Sequence, residues 1–236
     1  MDLGGGVSTL THGAYVPLAR HLAVREPRGK IGEFKVMVEI DEEILEALDV
    51  DFRSIFLGAR DGWTPVVHPD GTFSDEWGIR FRDVGNYTEM VEHPLAHATL
   101  DDLETFPWPD LRDRSRVRGI RDQARRFFDR GYAIALGSVG GRIFEQAQWL
   151  RGMAAFLEDL LVNVEFAEAL MHRLVAIQKD FFDTVLAEIG DMLDVVCMGD
   201  GLATQRGLML SPETYRRLVK PRQEEVNRHV KGKCRA

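Results

Sequence analysis

Along most of this chain apolar residues recur at spacings of three and four, and a few short continuous apolar runs interrupt that pattern. The helical spacing is clearest over 144–161 and 164–189, and it also covers 12–22, 99–106, 112–130 and 212–230. Three runs are short and continuous enough to read as buried strands: 52–57, 132–136 and 193–198. Asp41 stands where an N-cap would open a short helix carrying Ile44, Leu45 and Leu48. Ser211-Pro212 reads as an N-cap followed by proline at the first helical position. Pro107-Trp108-Pro109 ends one helix, and Pro221 predicts a kink or break inside the last one.

Between 61 and 90 the pattern changes. Asp61-Gly62 and Asp70-Gly71 are turn signals, and Gly78-Ile79-Arg80-Phe81-Arg82 alternates, which predicts an antiparallel hairpin excursion outside the main sheet. The other strands are separated by long helices, so the fold class is α/β with a mostly parallel sheet. Asp2-Leu3-Gly4-Gly5 reads as the exit of a strand, and Lys231-Gly232-Lys233-Cys234 as the approach to another. The expectation is therefore a chain cut at both ends.

With 236 residues and 44% hydrophobic content, the chain can bury a sizeable core. A net charge of −8 argues against a nucleic-acid partner. The basic tract over 112–130 does not change this, because aspartates interleave with its arginines; it predicts a solvated helix face with internal ion pairs. Cys197 and Cys234 offer no disulfide framework, which points to a reducing cytoplasm. No signal peptide is visible, and no apolar run approaches the ~18–20 residues that span a bilayer. The expectation is a soluble protein without a membrane partner.

Candidate chemistry gathers at the predicted strand ends, where parallel α/β folds bind ligands. The run over 193–198 delivers Asp200 to such an edge, as a catalytic carboxylate or as the anchor of an Asx turn. Gln205 in the same loop can donate to a substrate carboxylate or amide, or satisfy loop backbone. Gly137-Ser138-Val139-Gly140-Gly141-Arg142 lies between a strand and a helix. Its amides can cradle an anion, with Arg142 pairing through its fork and Glu145 at the same helix start. Tyr215 points to the site or to a neighbouring helix. Trp77 forms a lid over a flat ligand or the core of the hairpin. His12 and Tyr15, behind the first strand exit, are further substrate-binding candidates. His68, His93 and His97 have no metal-ligand spacing, so no metal site is assigned.

Several of these segments together resemble the uroporphyrinogen decarboxylase superfamily, in the right order and over nearly the whole chain. They are Asp75-Glu76-Trp77-Gly78, Asp101-Asp102-Leu103-Glu104 through Pro107-Trp108-Pro109-Asp110, Phe144-Glu145 through Leu150-Arg151-Gly152, Gly199-Asp200-Gly201-Leu202-Ala203-Thr204-Gln205, Leu210-Ser211-Pro212-Glu213-Thr214-Tyr215 and Lys220-Pro221. The resemblance implies a (β/α)8 barrel of which about half is present. It further implies one of two activities: corrinoid-linked methyl transfer to a thiol or cofactor acceptor, or cofactor-independent decarboxylation of uroporphyrinogen acetate side chains. The implied partners are a tetrapyrrole or methylated small molecule and a corrinoid protein. The zinc ligands of the methyltransferase branch would lie beyond residue 236, so no cofactor is expected within this chain. Two positions depart from the subgroup, which usually has a second aspartate at Gly201 and a glycine at Ala203. The arginine-rich motif of true decarboxylases is not seen, which favours methyl transfer. A truncated, non-catalytic binding module is the rival, and the exposed sheet edges of half a barrel would favour a homodimer.

Overall fold

The computed structural model describes residues 9–24, 38–85, 87–140 and 142–234. Two short helices, α1 (His12–His21) and α2 (Glu42–Ala47), form a small apolar cluster of their own around Tyr15, Ala19, Ile44 and Leu45. Asp41 precedes α2 as expected, but its carboxylate does not cap the helix. It accepts the Tyr15 hydroxyl instead, tying the two helices together.

Strand β1 (Phe52–Ile55) follows, and then the excursion. In place of one hairpin it is a four-stranded antiparallel meander in chain order: β2 (Val66–Val67), β3 (Phe73–Ser74), β4 (Arg80–Asp83) and β5 (Thr88–Glu92). Its inner side is apolar, with Ile79 and Phe81 buried and Phe73 stacked on Phe81 at 5.6 Å. A capping box from Thr99 and Asp102 opens α3 (Leu100–Thr105), with the Thr99 N–H donating to Asp102 Oδ2 at 2.7 Å.

The long helix expected over 112–130 is a 3-10 turn (Arg114–Val117) followed by α4 (Ile120–Phe128). Gly119, at φ 78°, sits between them in the left-handed region, where a side chain is costly and a helix cannot continue. Its arginines pair mostly outward, correcting the internal pairing expected: Arg112 reaches Asp180 at 2.7 Å and Arg121 reaches Asp191 at 3.0 Å.

Strand β6 (Ala133–Gly140) then enters the sheet. Two helices, α5 (Phe144–Arg151) and α6 (Met153–Val162), stand where one was expected. They are joined at Gly152, whose φ of 91° turns the chain. Helix α7 runs over Val164–Ile189, the span its periodicity predicts. Strand β7 (Val195–Met198) closes the sheet, and a small hairpin of β8 (Ala203–Thr204) and β9 (Gly207–Leu208) follows. The C-terminal helical stretch starts as α8 (Pro212–Thr214), where Ser211 Oγ accepts from the Thr214 N–H at 3.0 Å. A π-helical turn (Tyr215–Val219) leads into α9 (Lys220–Lys231). Pro221 has no N–H to give to the preceding turn, and the helix widens there instead of breaking.

The protein is thus mixed α/β, with a parallel sheet in the order β1-β6-β7. Ile55 pairs with Leu136, and Leu136 with Val196. These residues and Ile134 join the main core, formed with α4, α5, α6, α7 and α9. The alternate positions, Phe52, Ser54, Ala133, Ala135, Val195 and Cys197, belong to neither apolar cluster. Helices therefore cover one face of the sheet. Among the described residues no helix is long and apolar enough to cross a membrane.

Candidate functional site

The C-terminal ends of β6 and β7 lie side by side, with Gly140 opposite Met198. Two residues beyond Met198 the chain places Asp200 directly against the start of α5. Asp200 Oδ2 accepts the N–H groups of Phe144 at 2.8 Å and Ile143 at 3.2 Å, and Oδ1 accepts that of Glu145 at 2.6 Å. Three donors that a helix start leaves unsatisfied are thereby met by a carboxylate 55 to 57 residues away. The amides that hold this carboxylate belong to residues 143–145, not to the 137–142 loop where an anion was expected. Gln223 on α9 makes the fourth contact, its Nε2 donating to Oδ2 at 3.0 Å. Tyr215 donates its hydroxyl to Gln223 Oε1 at 3.0 Å and so fixes which way that amide faces.

Burial pushes the Asp200 carboxyl above its ordinary value, and the four hydrogen bonds oppose this. All four neighbours are donors, which favours the charged form against that burial.

Glu145, the second residue of the same helix, is different. Its side chain is half-buried and its counter-charge is distant, Arg142 Nε lying 3.6 Å from Oε2. Burial, with the Asp200 charge adding to it, raises the Glu145 carboxyl above its ordinary value, and Arg142 only partly offsets this. Gly201 lies against it. A Cβ added there would stand 3.0 Å from Glu145 Oε1, so a larger residue would need the Glu145 carboxyl to move aside. Beside this pair a cavity of about 220 Å³ is lined by Met198, Gly199, Asp200, Leu202, Gln223 and Asn227.

No family model, curated protein or solved structure matches this chain.

The other candidates are distributed differently. Arg142 and Trp77 line a second cavity near the ends of β1 and β6. Gln205 is exposed in the turn of the β8–β9 hairpin, where Thr204 and the backbone make the local contacts. Tyr15 is 1% exposed in the separate N-terminal cluster, its hydroxyl committed to Asp41, so it is a core residue and no part of the rim. His12 is the first residue of α1, and its side chain lies outside the described residues. Among the described residues no three His, Cys, Asp or Glu side chains converge to hold a metal ion. Gln223 and Gln146 escaped the sequence reading. Gln223 carries a usable signal, lying eight residues, about two turns, after Tyr215 on the same helical stretch.

Proposed function

We propose that this chain is part of a (β/α)8 barrel enzyme of the uroporphyrinogen decarboxylase type. It transfers a methyl group from a small donor to a corrinoid protein, with Glu145 as the proton carrier and Asp200 as its positioning residue. The observation that carries the choice of reaction is the commitment of Asp200 to the protein's own donors. Oδ2 accepts from Ile143, Phe144 and Gln223 and Oδ1 from Glu145, so of about four acceptor positions one, on Oδ1, is left. Decarboxylation by the route the resemblance implies asks that carboxylate to hold several pyrrole N–H groups at once.

Methyl transfer from an oxygen or nitrogen donor asks for something else. As the carbon–heteroatom bond breaks and the methyl carbon passes to the acceptor, the leaving atom needs a proton. Glu145 has an elevated proton affinity and a loose counter-charge, which suits a general acid. Asp200 fixes the helix start from which Glu145 projects, and Tyr215 fixes Asp200 through Gln223.

The strand order supports the barrel. Its parallel neighbours follow chain order without the reversal that marks a doubly wound sheet, and helices cover one face only. The chemistry assigned to this chain is that of its own side chains.

The test is to mix the protein with a reduced corrinoid and a panel of methyl ethers and methylamines, following methylation of the corrinoid by absorbance. The expected result is turnover with one donor class, lowered at least about a hundredfold by Glu145→Gln, the usual scale of a general acid. Loss of carbon dioxide from uroporphyrinogen, or no methylation with any donor, contradicts the reading.

A further inference from the structure

A second cavity lies where the meander meets the sheet, between the segment after β1 and the start of α5, with α7 behind it. Its volume is about 200 Å³, and Trp77, Phe181, Arg142, Gln146 and the Glu76–Arg116 pair are among its lining residues. Gln146 is only 6% exposed, and its Nε2 has no hydrogen-bond partner among the described residues. A buried, unmade amide hydrogen bond is costly, and such a group in a native structure usually marks a missing partner.

The charges in the cavity do not cancel. Arg116 is 6% exposed and is held by Glu76, its Nη1 lying 3.1 Å from Oε1, so those two neutralise each other. Among the described residues the Arg142 guanidinium has the 3.6 Å contact with Glu145 and a position 5.6 Å from the Trp149 ring. One cation with a poorly used fork, one unpaired amide donor and two aromatic walls remain.

We infer that this cavity is a binding site for the carboxylate of a small flat organic acid, with Arg142 and Gln146 gripping the carboxylate and Trp77 and Phe181 enclosing the ring. A guanidinium fork matches a carboxylate with two parallel N–H bonds. Gln146 supplies one further donor, and that set suits a single negative charge. A cavity of 200 Å³ corresponds to on the order of seven waters, a fit for one six-membered ring and its carboxylate. This site shares Arg142 with Glu145, but its test reads benzoate binding and not methyl transfer, so failure of one reading is distinguishable from failure of the other.

The test uses benzoate as the probe and the Trp77 indole N–H resonance as the reporter, assigned by its loss in Trp77→Phe. Benzoate is expected to shift that resonance saturably, whereas benzamide and inorganic phosphate bind at least about tenfold more weakly, the factor worth one charge-assisted hydrogen bond. Arg142→Gln should erase the preference for benzoate over benzamide. Gln146→Leu should weaken benzoate at least about fivefold while leaving the unliganded protein as stable as before or more so, because it removes an unmet donor. No saturable shift, equal binding of benzamide or phosphate, or unchanged benzoate affinity in Gln146→Leu overturns the assignment.

Discussion

Asp200 and Glu145 are 55 residues apart in sequence, yet the carboxylate of the first accepts the backbone N–H of the second at 2.6 Å. The two acids divide the work of the rim. One accepts from four donors and fixes where helix α5 begins. The other, carried on that helix beside Gly201, keeps a carboxyl that is not saturated and that holds its proton more tightly than usual.

Replacing Asp200 by Asn keeps the shape but turns an acceptor oxygen into an N–H₂ group facing other donors. We expect Asp200→Asn to lower stability by about 2 kcal/mol, the scale of a lost charged hydrogen-bond set with donors left unmet. Denaturant midpoints at neutral pH check this. An unchanged midpoint would show that the carboxylate is not what holds the start of α5.

The burial of Glu145 has a pH signature. Its folded-state carboxyl is raised above 4.5, so its favourable contribution is fully present below that value and is lost as pH rises through the folded-state pKa. Glu145→Gln cannot ionise. The variant should therefore match the parent near pH 4 and exceed it in melting temperature at neutral pH. A variant less stable than the parent at neutral pH would mean that the pairing with Arg142 outweighs burial.

Gly152 joins α5 to α6 at φ 91°, and an added Cβ would meet the His93 ring at 3.4 Å. His93 is itself anchored there, its Nδ1 lying 2.7 Å from the Trp149 carbonyl oxygen. Gly152→Ala combines backbone strain with a close contact, and should cost about 1–3 kcal/mol in a chemical denaturation series. A cost within ±0.5 kcal/mol of zero, the range typical of surface substitutions, would contradict the strained joint.

Gly137 presents a different constraint. A Cβ there would fall 2.6 Å from Phe56 Cε1, so the ring must shift to admit even alanine. Gly137→Ala should destabilise the sheet, and adding Phe56→Leu should recover part of the loss, giving a coupling energy above about 0.5 kcal/mol in a double-mutant cycle. Simple additivity would show that the two residues do not constrain each other.

Much of this fold is legible in the sequence where one local pattern dominates. The spacing over 164–189 defines α7 without help from the rest of the chain, and Ser211-Pro212 caps the helix it opens. The three parallel strands are legible as apolar runs, and Asp200 as the residue at a strand exit. Legibility fails where conformation at one residue outweighs periodicity. Gly119 and Gly152 each interrupt a continuous apolar pattern, because their positive φ values end a helix whatever the side chains around them prefer. Distant partners fail for another reason. Nothing near Asp200 in sequence shows that it caps α5, and Tyr15 near the N-terminus resembles a site residue until Asp41 is seen to take its hydroxyl. The arginines over 112–130 illustrate the same limit, since their partners are scattered: Arg112, Arg114 and Arg121 reach on or just after α7, Arg116 reaches Glu76, Arg118 reaches Asp61 and Arg130 reaches Glu42 and Glu46.

The division of roles between the two acids is tested most directly by a carbon-13 carboxyl NMR titration of Glu145 in the intact protein. The account expects its midpoint above the ordinary value of 4.5. A midpoint at or below 4.5 would contradict it, because Glu145 would then be an ordinary ion-paired carboxylate with no proton to give.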